Sequence, residues 1–252
     1  AMQLEHLTRI RNWIFPSKGA QEGFLNTATS QMKKAAQNCV FHVAYNGYES
    51  KDKIEPDLEF VKQLDEMEKA DITFASATFL YRNKGVEKIP RVLSEFKKIT
   101  GLSIRWILVG SGEMEVEVEE NIQKYLKDSE YIWYRKRFDN QDNIFELFSQ
   151  SDFYIMMHRV SVFDLSTLQA MSYGCIPFLS DVGGNTELCG FQNGILVDPD
   201  KPNLDFLDCL KNERYKVFLE QRKRKNKEIV KRYFNNRRFL NAYKSVLYMI
   251  DK

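Results

Sequence analysis

The stretch Ser151–Pro199 constrains the fold more than any other part of the chain. Its apolar run Phe153–Met157 is short and bounded, which predicts a buried strand. A helix is expected over Asp164–Tyr173, closed by Gly174 at the position after a helix end that favours glycine. A second short apolar strand, Cys175–Leu179, follows. This order is typical of an open parallel sheet, in which ligands bind beyond the carboxyl ends of the strands.

Three more apolar runs predict strands of the same sheet: Ile72–Ala77, Ile104–Val109 and Tyr131–Tyr134. Helices are expected to alternate with them, and their approximate ranges are 84–99, 114–126 and 143–148, with a helical end from Leu204 onward. Strands that alternate with helices predict an α/β fold, a doubly wound parallel sheet followed by C-terminal helices.

Composition narrows the class of protein. The 252 residues suffice for one large domain, or for one domain and part of another. No apolar run reaches the roughly 20 residues that span a bilayer, and no secretory leader is recognisable. The four cysteines are scattered, which favours reduced thiols and a cytoplasmic protein. The three histidines are isolated in sequence, so no metal site is expected.

Charge is unevenly distributed along the chain. The net charge is +2, but residues 212–252 contain thirteen Lys or Arg against four Asp or Glu, a local balance of +9. Apolar residues are interleaved with the basic ones, so the first interpretation is a pair of amphipathic helices with solvated basic faces. Peripheral contact with an anionic membrane surface is the second interpretation. Nucleic acid is not expected, because no nucleic-acid motif is present.

The central stretch resembles the donor-binding motif of GT-B glycosyltransferases, especially the large retaining family 4. Gln169-Ala170-Met171 falls where that family has its second Glu-Ala-Met, and Ser161 falls where it has the first Glu of the Glu-x7-Glu pair. Phe163 keeps the family's Phe, and Asp164 replaces a Gly. The positions that also keep their places are Gly174, Gly183, Gly184 and Glu187. Phe163-Asp164 with Gly183-Gly184-Asn185 is similar to a version of the motif in some bacterial rhamnosyl and polysaccharide transferases.

The resemblance implies a Rossmann-like domain, the C-terminal half of a GT-B fold, that binds a nucleotide-diphosphate sugar. It implies transfer of the sugar to a hydroxyl of a sugar or lipid-linked acceptor, with retention and without a metal or other cofactor, in bacterial polysaccharide or glycoconjugate synthesis. The alternative is a catalytically inactive accessory protein that partners an active transferase, which the loss of both glutamates favours. A third interpretation is a Rossmann-like domain for another phosphorylated metabolite.

Lys84 and Asp164 are the candidate catalytic residues. Lys84, in the Arg82–Gly85 turn, resembles the lysine that holds the diphosphate in this family; the alternative is a surface lysine ahead of a helix. Asp164 is by default the N-cap of its helix, and otherwise a ligand of sugar hydroxyls in place of the missing Glu. The same helix start, which includes Leu165, would offer backbone N–H groups to phosphate.

The remaining candidates each have a structural alternative. Gly110-Ser111-Gly112 borders the donor cleft or forms a tight turn, and His158 donates to phosphate or sugar oxygens or is structural. Gln169 binds a ribose hydroxyl or is an ordinary glutamine, and Glu187 holds its loop rather than taking part in chemistry. The candidate donor-binding residues are Gly110, Gly112, His158, Ser161, Leu165, Gln169, Gly184 and Asn185.

Two landmarks near the start also resemble the family. Phe15-Pro16-Ser17-Lys18 and Val43-Ala44-Tyr45-Asn46-Gly47 fit segments at the end of its N-terminal domain. We therefore expect residues 1–38 to be a linker or remnant of that domain, and residues 39–252 to form the nucleotide-sugar-binding domain. Acceptors bind mostly in the N-terminal domain of such enzymes, so this chain alone is expected to turn over poorly or not at all.

Overall fold

A computed structural model describes residues 2–211 and 215–250 of the chain. The strands of that part are β1 (Asn12–Phe15), β2 (Val40–Val43), β3 (Ile72–Ala77), β4 (Ile104–Val109), β5 (Tyr131–Tyr134), β6 (Phe153–Met156), β7 (Ile176–Ser180) and β8 (Ile195–Val197). Its α-helices are α1 (Met2–Arg9), α2 (Lys18–Thr27), α3 (Ser30–Ala36), α4 (Leu58–Asp65), α5 (Ile89–Thr100), α6 (Glu115–Tyr125), α7 (Asp142–Gln150), α8 (Leu165–Tyr173), α9 (Asn185–Leu188), α10 (Tyr215–Tyr233) and α11 (Asn236–Ile250). Short 3-10 helices cover Arg82–Lys84, Val86–Lys88, Asp128–Glu130 and Asp205–Lys211.

The main sheet of the described residues has six parallel strands in the order β5-β4-β3-β6-β7-β8. The predicted doubly wound α/β fold is therefore confirmed. The strand order reverses between β3 and β6, so the loops that follow these two strands run in opposite directions. Such a reversal opens a crevice at the carboxyl edge of the sheet, where ligands bind in folds of this class.

Aromatic rings fill the centre of the main core. Phe74 of β3 stacks on Phe153 of β6 with ring centroids 5.1 Å apart, and Phe96 of α5 meets Phe74 edge-on at 5.2 Å. Trp106 donates to the Ser76 hydroxyl at 3.0 Å, so its buried indole N–H is satisfied. This packing makes β3, β4 and β6 a rigid base for the loops at their carboxyl ends.

Residues 2–43 pack around a small core of their own. β1 and β2 form a two-stranded parallel sheet, which lies beside a separate cluster built on Leu7, Ala28 and Met32. We call residues 2–43 the first unit. β2 begins at Val40 and pairs with β1, so the ladder between them crosses the expected boundary at residues 38 and 39.

The predicted start of the helix at Lys84-Gly85 is wrong, because α5 begins at Ile89. Two 3-10 turns precede it, and Gly85 separates them with a left-handed φ of +63°. A Cβ at Gly85 would lie 1.8 Å from the carbonyl oxygen of Met157, so only glycine fits this approach of the turn to the end of β6. Pro90 then fixes the first turn of α5.

The C-terminal helices α10 and α11 confirm the predicted helical end of the chain. α10 lies on α8, with Leu219, Ile229 and Val230 buried. Lys223 forms an ion pair with Asp152 at 2.6 Å, so part of the basic tail is bound within the protein. Residues 212–214 and 251–252 of that tail and the side chain of Cys209 lie outside the described part. In residues 2–211 and 215–250, no helix combines the length and the apolar character that a membrane span requires.

Candidate functional site

Three of the predicted site residues converge at the carboxyl edge of the sheet. Lys84 follows β3, His158 follows β6, and Asp164 precedes α8. The Lys84 ammonium lies 3.1 Å from Asp164 Oδ1, and His158 Nε2 lies 3.5 Å from the same oxygen. The Lys84 side chain is 26% exposed and that of Asp164 is 8% exposed, so a partly accessible cation covers a buried carboxylate.

Asp164 is the N-cap of α8, as its default interpretation predicts. Its other oxygen, Oδ2, accepts from the backbone N–H of Thr167 at 2.9 Å and from the Thr167 hydroxyl at 2.8 Å. The two oxygens therefore have different roles, one on the helix and one facing Lys84 and His158. The cap and the ion pair do not exclude each other.

The environment of Asp164 determines its charge. Burial raises the pKa of this carboxyl, but contact with His158, the ammonium of Lys84 and the Thr167 hydroxyl outweigh burial and hold the pKa well below its usual range. Asp164 is therefore a carboxylate at neutral pH. Its negative charge is matched locally by the Lys84 cation, which a competing anion would also attract.

Several predicted donor-binding residues have polar atoms without a partner among the described residues. These are Nδ1 of His158, the hydroxyl of Ser161 and the side-chain carbonyl of Asn185, whereas His158 Nε2 faces Asp164 Oδ1 at 3.5 Å. Asn185 is held in place by its amide nitrogen, which donates to the Ser180 carbonyl at 2.9 Å. Buried polar atoms without partners are rare and costly in folded proteins. Their concentration around one loop is typical of a site where water or ligand completes the hydrogen bonding.

Leu165 and Gln169 lie on the accessible side of the same helix. Leu165 is the first residue of α8 and is 45% exposed. The backbone N–H groups of Leu165 and Ser166 precede the first hydrogen bonds of the helix, as at any helix start. Gln169 is half-buried, and its side-chain amide makes no hydrogen bond with the described residues. The helix start therefore offers N–H donors and one amide to a ligand.

The Gly183-Gly184 turn packs against the loop that carries Ser161. Gly184 donates its backbone N–H to the Ser161 carbonyl at 3.0 Å. A Cβ at Gly183 would lie 2.1 Å from the Ser161 carbonyl oxygen, and one at Gly184 would lie 2.2 Å from that of Val162. Side chains at these positions would push the two loops apart, so the glycines set the shape of this edge.

Gly110 and Gly112 allow the loop after β4 to approach the backbone of the loop after β3 closely. A Cβ at Gly110 would lie 1.8 Å from the Thr78 carbonyl oxygen, and one at Gly112 would lie 2.8 Å from that of Leu80. The N–H of Leu80 donates to the Ser111 carbonyl at 3.0 Å, which joins the loops after β3 and β4. These glycines thus shape the loop before Lys84, and their contact with a donor stays a prediction.

Two residues outside the candidate set, Glu187 of α9 and Ser17 of the first unit, join the first unit to the site. Glu187 accepts from the backbone N–H groups of Lys18 and Gly19 at 3.1 and 2.7 Å, so it holds the start of α2, in keeping with the expected structural role. Ser17 caps α2 and donates to the Val162 carbonyl. A serine before a helical segment signals its capping role in the sequence, but nothing there signals its bond to a loop 145 residues away.

Comparison with known proteins gives one family. Residues 69–211, more than half of the chain, match the family model described as Glycosyl transferases group 1. Glycogen synthase of Fusobacterium nucleatum subsp. nucleatum is 29% identical over 162 residues, which are 61% of this chain and 33% of that protein. Glycogen synthase of Oceanobacillus iheyensis is 30% identical over 115 residues, 44% of this chain and 22% of that protein. The chain thus spans a third or less of the length of these relatives.

Solved structures share the fold. The chain matches sucrose-phosphate synthase of Thermosynechococcus elongatus with a TM-score of 0.72 at 15% identity, covering 99% of this chain and 61% of that one. It matches Anabaena HepE, solved in complex with UDP and glucose, with a TM-score of 0.70 at 15% identity, covering 99% and 66%. At this level of identity the likeness establishes the Rossmann-like fold.

The paired carboxylate predicts a pH effect on stability. Asp164→Asn keeps a capping side chain but removes the charge beside Lys84. Because the folded pKa of Asp164 is lowered, its contribution to stability is complete above the unfolded pKa of about 3.9 and is lost as the pH falls toward the folded pKa. The difference in melting temperature between wild type and Asp164→Asn should therefore be largest near neutral pH and shrink below about pH 4. Thermal denaturation of both proteins across this range checks it, and a difference independent of pH would contradict it.

Proposed function

The chain belongs to the Glycosyl transferases group 1 family, and on that premise we propose that it binds the nucleotide-diphosphate sugar of a glycosyltransferase that transfers the sugar to a hydroxyl acceptor. The observation that carries the proposal is the convergence of Lys84, Asp164 and the start of α8 at the reversal of strand order. Cationic side chains and helix N-termini both bind phosphate in proteins.

In this proposal the donor diphosphate competes with Asp164 for Lys84. The ammonium carries three donors, so it can turn toward phosphate oxygens while Asp164 keeps its bonds to Thr167. The N–H groups of Leu165 and Ser166 would bind the same phosphates from the helix start. When the sugar leaves, charge develops on the diphosphate, and these fixed donors would stabilise that charge.

The solvent exposure of the remaining candidates decides which role each is given in donor binding. Gln169 is half-buried with a free amide, which suits a ribose hydroxyl. His158 and Ser161 are only 3% and 5% exposed, so a sugar would reach them through bridging water or a shift of the loop between β6 and α8. Gly110, Gly112, Gly184 and Asn185 would then set the shape of the cleft rather than contact the chemistry directly.

The family 4 assignment and a retaining reaction are the finer parts of the proposal. They rest on the resemblance of the central motif, with Ser161 and Gln169 in place of the Glu-x7-Glu pair and Asp164 as the acid nearest to Lys84. No metal or other cofactor is part of the proposed reaction, and the nucleotide sugar acts as substrate. An accessory protein without catalysis is the second candidate, since both glutamates of the pair are replaced.

We assign donor binding to residues 39–252 and regard residues 1–38 as part of a preceding domain. The separate core of the first unit supports a division near this point, although the pairing of β2 with β1 favours a boundary after Val43. The acceptor, a sugar or a lipid-linked sugar, would bind mostly to that preceding domain, in a cytoplasmic setting.

Peripheral membrane contact is proposed for α11. This helix exposes Leu247, Tyr248 and Met249, which are 56%, 72% and 60% exposed, and it begins with Arg237 and Arg238. A helix that carries exposed basic side chains at one end and exposed apolar ones at the other suits the interface of an anionic bilayer.

Replacing Lys84 by Ala should weaken binding of nucleoside diphosphates, because it removes the cation aimed at phosphate. A hydrogen bond to a charged group is worth about 1.5–3 kcal/mol, so an affinity loss of roughly ten- to a hundredfold is expected. Calorimetry with free UDP, GDP and dTDP measures it. Lys98→Ala, which removes a surface lysine of α5, is the matched control and should bind like wild type. Unchanged affinity in Lys84→Ala would remove Lys84 from the site.

Transfer assays with Asp164→Asn separate the enzyme from the accessory protein. If Asp164 binds a sugar hydroxyl in place of the missing glutamate, then in the full-length protein the loss of this charged hydrogen bond should lower the transfer rate roughly ten- to a hundredfold, while donor-free protein at neutral pH stays folded. Asp164→Ala, which also loses the cap, should lower the melting temperature further than Asp164→Asn does. Wild-type protein that binds a donor and transfers nothing would support the accessory role instead.

Co-sedimentation with vesicles tests the membrane contact. Binding to vesicles that contain phosphatidylserine should exceed binding to neutral phosphatidylcholine vesicles and fall with added salt. Leu247→Glu/Met249→Glu should reduce it, and Val116→Glu, at an exposed apolar residue of α6, is the control. Equal binding to both vesicle types would rule out the proposed contact.

A further inference from the structure

Arg105 is a largely buried cation that pairs with none of the residues that the structure describes. It is the second residue of β4, near the amino edge of the sheet and at the opposite end of the strand from the candidate donor site. The residue is only 8% exposed, and its Nε is buried without a hydrogen bond, whereas its two terminal nitrogens are accessible from the cavity that Arg105 lines. Among residues 2–211 and 215–250, none forms a hydrogen bond or ion pair with its guanidinium. A largely buried charge without a counter-ion is costly, so this position favours an anion that enters through the cavity.

Arg105 lines a cavity of about 260 Å³ between the sheet, α4 and α7. At roughly 30 Å³ for each water molecule, the space holds an ion of phosphate size together with several waters. Lys69 lines the same cavity and is exposed, so a second cation lies at its mouth. Thr73 and Gln150 add a hydroxyl and an amide to the wall.

Two carboxylates, those of Asp65 and Glu68, also line the cavity. Either carboxylate could in principle neutralise Arg105 in place of a bound anion. Both residues are exposed, however, and neither pairs with Arg105 in the structure. Neither acid therefore neutralises the Arg105 guanidinium.

We propose that this cavity binds a small oxyanion, either phosphate or the phosphate group of a small metabolite, with Arg105 as its principal ligand. A guanidinium presents paired N–H donors that match phosphate oxygens, which a lysine does not. The inference is independent of the proposed donor site, which lies at the other edge of the sheet and uses Lys84.

The test uses inorganic phosphate and the Lys84→Ala protein, so that binding at the donor site is suppressed. Melting temperatures are compared in phosphate and in chloride at equal ionic strength. Lys84→Ala should be stabilised saturably by phosphate. Lys84→Ala/Arg105→Met should lose at least about tenfold in phosphate affinity, and Lys84→Ala/Arg137→Met, which removes an exposed arginine, should not. Phosphate stabilisation that is absent from Lys84→Ala or unchanged by Arg105→Met would overturn the proposal.

Stability without phosphate gives a second readout. Arg105→Met should then melt at the same temperature as its parent or higher, because it replaces a largely buried cation that has no counter-ion with an apolar side chain. Asp65→Asn/Glu68→Gln should keep or strengthen phosphate binding. If Arg105→Met unfolds in chloride, or if Asp65→Asn/Glu68→Gln destabilises the protein and abolishes binding, Arg105 is held by these acids and the proposal fails.

Discussion

The candidate site depends on the interactions of the Asp164 carboxylate. One of its oxygens caps α8, and the other faces Lys84 and His158. The carboxylate thereby joins the loop after β3, the loop after β6 and the start of α8 at the point where the strand order reverses. Because it is buried, its ionised state requires these partners, and they in turn take their positions from it.

The glycines around this contact set how closely the loops approach. Gly85 admits the carbonyl of Met157, and Gly183 admits that of Ser161. At both positions a Cβ atom would collide with the carbonyl oxygen. The Lys84 turn and the Gly183-Gly184 turn therefore both pack directly against the segment between β6 and α8. The site is therefore built from backbone contacts, and its polar side chains are supported from two sides.

The sequence predicts five of the six strands of the main sheet, because these strands are short apolar runs between glycines and polar turns, whereas the three-residue strand β8 is not predicted. The predicted limits of Ile72–Ala77 and Ile104–Val109 coincide with β3 and β4. The start of α5 is not predictable in this way, since the left-handed turn at Gly85 is required by a carbonyl distant in sequence. For the site, the N-cap role of Asp164 follows from local pattern, whereas its pairing with Lys84, 80 residues away, depends on the tertiary fold. Likewise, an arginine in an apolar strand gives no sign that the completed fold leaves it unpaired.

The bonds between Glu187 and the start of α2 have a mechanical consequence. Glu187 follows the Gly183-Gly184 turn by a few residues, and a Cβ on Gly19 would lie 2.4 Å from the backbone of Gly183. A rotation of the first unit against the sheet would break these contacts or carry the glycine turn with it. The turn borders the loop of Ser161, so a change in the orientation of the first unit would change the shape of the cleft. A change at either end would be transmitted to the other without any rearrangement of the main sheet.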